Sequence, residues 1–136
     1  MSDSAAKPRP EFRNINITNL MAYRLPLAGQ VSILHRASGA LLFLALPFLI
    51  ALFDMSFSTE AGFASMSTMA GNPIVKLVLL VLIWGYCHHF CCGIRYLVLD
   101  LHIGLDKAGA FKSASVVLGA SLGLTLVFAL KLFGAW

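Results

Sequence analysis

The chain has 136 residues, of which 59% are hydrophobic and only 12% charged, with a mean hydropathy of +0.83. A water-soluble domain of this size carries roughly 25% charged residues. A soluble globule is therefore excluded, and one small all-α membrane domain is indicated. The net charge of +4 is too sparse for a nucleic-acid surface, and its placement along the chain says more than its total.

Residues 1–29 form a polar N-terminal segment holding Lys7, Arg9, Arg13 and Arg24 against Asp3 and Glu11. Its opening, MSDSAAKPRPEFRNINITNL, has no apolar core and no A-x-A cleavage site, so a secretory signal is not expected. It also lacks the length and Arg/Ser richness of an organelle transit peptide, which points to a bacterial inner membrane. Asn16 to Ala22 reads as a short interfacial helix before Pro26.

Residues 30–136 make the membrane domain, with spans expected at about 31–53, 74–99 and 113–133. In the first, only Gly39 to Phe53 is free of polar groups. That stretch covers ~22 Å as a helix against a ~30 Å hydrocarbon core. The span must begin earlier and take in Ser32, His35 and Arg36, and Pro47 is expected to kink it. The connection at 54–73 carries Asp54 and Glu60 and no Lys or Arg. Asn72-Pro73 then signals the start of the second span, Ile74 to Leu99, with Lys76 able to snorkel outward. The second connection, 100–112, holds Lys107 and Lys112, with Arg95 just before it. By the positive-inside rule, the N-terminus and this second loop face the cytoplasm and Trp136 sits at the far interface. The third span carries Ser115, Gly119 and Gly123 at four-residue spacing, a stripe suited to close helix contact.

Two constellations stand out within the spans. Gly85, His89, Cys92, Gly93 and Tyr96 share one face of the second span, while His88 points about 100° away. A histidine at that depth marks a functional site by default. With glycines one turn on either side it suits a haem lying along the helix, with His89 as an axial ligand. The alternative is an imidazole hydrogen-bonded to a neighbouring helix. Cys87, His88, Cys91 and Cys92 offer a rival use of the same stretch as soft ligands in a small metal-binding or transport protein. The second constellation, Ser32, His35 and Arg36 on one face of the first span, is a polar pocket for an oxygen-bearing ligand such as a quinone head group. It is also a cationic patch for haem carboxylates, or an arginine that merely snorkels.

Taken together, Arg9-Pro10, the S-I-L-H-R-x-S-G string at 32–39 and H-x-x-x-G-I-R-x-x-x-x-D from His89 to Asp100 resemble the cytochrome b556 membrane-anchor subunits of succinate dehydrogenase, respiratory complex II. The resemblance covers nearly the whole chain. It implies three transmembrane helices paired with a second small membrane-anchor subunit. The shared bundle would hold one haem b and form a ubiquinone site against the iron–sulfur subunit. Succinate oxidation would belong to the flavoprotein subunit, leaving no complete active site in this chain. By the same resemblance His89 matches the haem iron ligand, Ser32 and Arg36 match positions lining the quinone site, and His35 and Arg36 match positions near the haem propionates. Many bacterial relatives carry a second histidine where this chain has Tyr96. A phenol can donate a hydrogen bond but cannot take a positive charge. A fumarate reductase anchor is the variant reading within the same class.

Overall fold

The computed structural model describes residues 16, 18 and 22–135, and among them there is helix and no strand. Helix α1 is Leu27–Ser58, α2 is Glu60–Gly71, α3 is Pro73–Asp100 and α4 is Lys107–Leu132. Three of these, α1, α3 and α4, are long and apolar enough to cross a membrane, as the hydropathy predicts. The expected helix at residues 16–22 falls for the most part outside the described residues, as do Arg9-Pro10 and Trp136.

Each span is longer than hydropathy alone indicates, because helix ends are set by capping rather than by the membrane boundary. The Pro26 carbonyl accepts from Gly29 N and Gln30 N, so α1 opens a turn before Val31. It then runs through Pro47 without interruption to Ser58. At α3 the Asn72 side chain accepts from Ile74 N at 2.9 Å and Pro73 fills the first helical position, where no N–H is needed. Asp106 accepts from Gly109 N at 3.1 Å and starts α4 six residues ahead of the expected Ser113. Lys107 and Lys112 lower the hydropathy of that stretch without opposing helix. The tight loop before it passes through left-handed His102 (φ 61°) and Gly104 (φ 73°).

Helix α2 lies within the first connection, 54–73. Thr59 Oγ1 accepts from Gly62 N at 2.9 Å, and Glu60 lies in the first turn, where the helix dipole favours negative charge.

Helix α3 is central and packs against the other three. Val31, Cys92, Ala114 and Val117 form the buried core where α1, α3 and α4 meet, and Leu82 and Cys87 lie buried further along α3. In lipid these helices gain little from apolar burial and associate by close packing and interhelical hydrogen bonds. Ser38, His88, Arg95 and Ser121 are buried polar residues, and each makes a hydrogen bond. The Lys76 ammonium sits 5.6 Å from the Phe133 ring centre, tying the start of α3 to the end of α4. Large apolar side chains such as Phe43, Leu44, Phe57 and Leu97 cover the outside. Gly119 and Gly123 have no neighbour within 4 Å of an added Cβ, so the small-residue stripe makes no close contact within the described chain.

Candidate functional site

The two adjacent histidines of α3 have different surroundings. Successive helical residues diverge by about 100°, so one must face inward when the other does not. His88 is fully buried. Its Nδ1 lies 3.4 Å from Ser121 Oγ on α4, its Nε2 lies 3.5 Å from Cys92 Sγ, and its ring stacks on Trp84 at 5.5 Å. Both ring nitrogens are engaged, and the imidazole serves as a polar link between α3 and α4.

His89 is half-buried and faces α1. Its Nδ1 lies 3.1 Å from the His35 carbonyl and 3.4 Å from Ser38 Oγ, while that hydroxyl donates to the same carbonyl at 2.9 Å. A carbonyl can only accept, so Nδ1 carries the hydrogen and Nε2 presents its lone pair. Among the described residues Nε2 has no hydrogen-bond partner. A backbone carbonyl that holds one ring nitrogen fixes the tautomer and orientation and leaves the other nitrogen open, as in histidines that ligate a metal.

The His35 ring lies parallel to that of His89, with centres 4.1 Å apart and planes 15° apart, and it meets Tyr96 at 5.1 Å. Arg95 continues the series, its guanidinium carbon 5.5 Å from the Tyr96 ring centre. One helical turn of α1 thus presents Ser32, half-buried, and Arg36, exposed, beside this stack, with Arg36 Nε donating to the Ser32 carbonyl at 3.4 Å. The structure therefore brings His35 and His89 into contact and keeps Ser32 and Arg36 on the adjoining turn. Tyr96 joins the same cluster.

The glycine pattern is only partly as expected. Gly93 is open on its outer side, but an added Cβ on Gly85 would meet Leu41 Cδ2 at 3.6 Å. Gly85 is therefore a packing position against α1, and the slot along α3 is narrower than the sequence suggested. The residue that sequence reasoning missed is Gly39. A Cβ there would stand 2.8 Å from His89 Cε1 and 3.2 Å from Nδ1, so only glycine lets the ring sit against α1. Its signal was present in the S-x-x-H-R-x-S-G string, one turn after His35.

The Arg95 side chain turns to α4, where Nε donates to Ser113 Oγ at 3.0 Å. Cys87 and Cys92 are buried in packing positions. Among the described residues no three His, Cys, Asp or Glu side chains gather into a metal-holding group, which leaves the cysteine-cluster reading without a ligand set.

Comparison with known proteins agrees with this architecture. Residues 8–128 match the family model of the succinate dehydrogenase/fumarate reductase transmembrane subunit. A succinate dehydrogenase cytochrome b556 subunit from Paracoccus denitrificans is 25% identical over 115 residues, covering 85% of this chain and 88% of the relative. One from Rickettsia bellii is 29% identical over 125 residues, covering 90% and 98%. A cytochrome b560 subunit from Reclinomonas americana is 26% identical over 125 residues, covering 84% and 86%. With three helices fit to cross a membrane and residues 8–128 matching the family model, the chain belongs to the succinate dehydrogenase/fumarate reductase transmembrane subunit family.

Proposed function

We propose that this chain is the cytochrome b membrane anchor of a succinate:ubiquinone oxidoreductase, holding one axial position of a haem b and contributing to the quinone-reduction site. The observation that carries the proposal is the state of His89. Its Nδ1–H is committed to the His35 carbonyl and its Nε2 is open on a half-buried face. The donor set fits the group: an imidazole fixed in one tautomer, an open glycine at Gly93, and His35 and Arg36 as N–H donors for carboxylates. When bound, haem b supplies a one-electron carrier inside the bilayer. His89 would hold the haem iron from this chain, and the family resemblance implies that a second ligand would come from the second small anchor subunit.

Ser32 and Arg36 line the quinone site in this reading. The hydroxyl orients the head group by a hydrogen bond. The guanidinium, always charged, favours negative charge developing on the quinone oxygen, a preorganised electrostatic role. Electrons arrive through the iron–sulfur subunit from a flavoprotein subunit that oxidises succinate. The charge asymmetry of the loops supports a reading with that soluble arm on the cytoplasmic side of a bacterial inner membrane. The family description covers fumarate reductases as well; the relatives named as succinate dehydrogenase subunits favour the succinate-oxidising direction.

The test is a dithionite-reduced minus air-oxidised visible spectrum of the native detergent-purified complex, with its subunits identified. A sharp b-type α band with a flavoprotein and an iron–sulfur protein is expected. No band, or a band without those partners, would discard the proposal.

A further inference from the structure

On the side of α3 turned to α4 lies a cavity of about 410 Å³, within the size range of small-molecule sites. Its walls are mostly apolar, with Ile94, Val98 and Val116 among them, and Arg95, Lys112 and Ser113 line it as well. Arg95 is only 8% exposed. Its contacts are the Ser113 hydroxyl and the Tyr96 ring, and among the described residues it has no carboxylate partner. Neither Asp100 nor Asp106 lines the cavity, and Asp106 is occupied in capping α4. A buried guanidinium without a counter-ion is costly inside a membrane protein, and a ligand that brings a negative charge removes that cost.

We infer that this cavity binds an anionic phospholipid, with the headgroup phosphate between Arg95 and Lys112 and an acyl chain along Ile94, Val98 and Val116. The shape of the polarity selects the ligand. Two cations, Arg95 five residues before the end of α3 and Lys112 five residues after the start of α4, set in an otherwise apolar groove match an amphiphile that brings one negative headgroup and a hydrocarbon chain. Basic pockets between transmembrane helices commonly take such lipids. The inference does not depend on the haem or quinone assignment: Lys112, Ser113 and Val116 belong to α4, Arg95 Nε is turned to Ser113, and Arg95 meets the His35–His89 stack only through the Tyr96 ring.

The test titrates the detergent-purified protein, with its co-purifying subunits, against phosphatidylglycerol and phosphatidylcholine, counting bound lipid by native mass spectrometry. One phosphatidylglycerol is expected to bind in preference to phosphatidylcholine. Lys112→Gln, at the exposed rim, lowers that affinity about fivefold. Val98→Trp, which fills the trough without changing charge, removes binding while Lys112 remains in place. Equal binding of the two lipids, or unchanged binding in both variants, overturns the inference and assigns the counter-charge of Arg95 to a partner subunit. Displacement by inorganic phosphate at equal concentration overturns it in favour of a free-anion site.

Discussion

His88 and His89 are neighbours in sequence and identical in chemistry, yet α3 gives them opposite surroundings. The inner face, with His88, Cys92 and Ser121, is closed: every ring nitrogen is used within the chain. The outer face, with His35, His89 and Tyr96, is half-open, and among the described residues His89 Nε2 stays unengaged. A membrane histidine is thus defined less by its presence than by which of its nitrogens the fold consumes. The closed face holds helices together; the open one is where the proposed function places the ligand.

The contrast can be broken most severely at the open face. His89→Ala is expected to abolish the b-type absorption band, whereas His88→Ala retains it and lowers stability instead. Equal loss in both variants would erase the distinction. Next in size is Arg36→Ala, expected to lower quinone reduction about 100-fold, the cost of one preorganised donor at a developing negative charge. Succinate oxidation by a soluble dye should stay intact, because the proposed function assigns that reaction to other subunits. A normal quinone rate would remove Arg36 from the site.

Smaller effects sharpen the comparison. Gly39→Ala pushes a Cβ toward the His89 ring, which must then shift from the His35 carbonyl. Roughly tenfold weaker haem retention is expected, the usual cost of disturbing a second-shell partner, with a displaced α band as its signature. An unchanged band would show that the ring does not need α1. Ser121→Ala, on the closed face, should cost only ~1 kcal/mol, typical of an interhelical hydrogen bond in a membrane. It would be read as lower resistance to denaturing detergent with an unaltered spectrum.

Much of this was legible in the sequence because a membrane span leaves a strong periodic signature. The length shortfall of Gly39 to Phe53 forced Ser32, His35 and Arg36 into α1, and the helical period separated His88 from His89. Capping explains the boundary errors: Thr59 and Asp106 begin helices in stretches whose polarity reads as loop. The division of labour between the two histidines was not legible, since it depends on Ser121, thirty-three residues away, and on a backbone carbonyl of α1. For the same reason the contact between Gly39 and His89 is invisible until the two helices are set side by side. Gly85 looked like clearance for a ligand and instead admits Leu41.

The most direct test of the central claim is chemical rescue in the intact complex. His88→Gly and His89→Gly variants would be purified with their partner subunits and their b-type band recorded with and without added imidazole. The account predicts that His89→Gly alone loses the band and that imidazole restores it. A band that survives in His89→Gly, or one lost and rescued in His88→Gly, would contradict it.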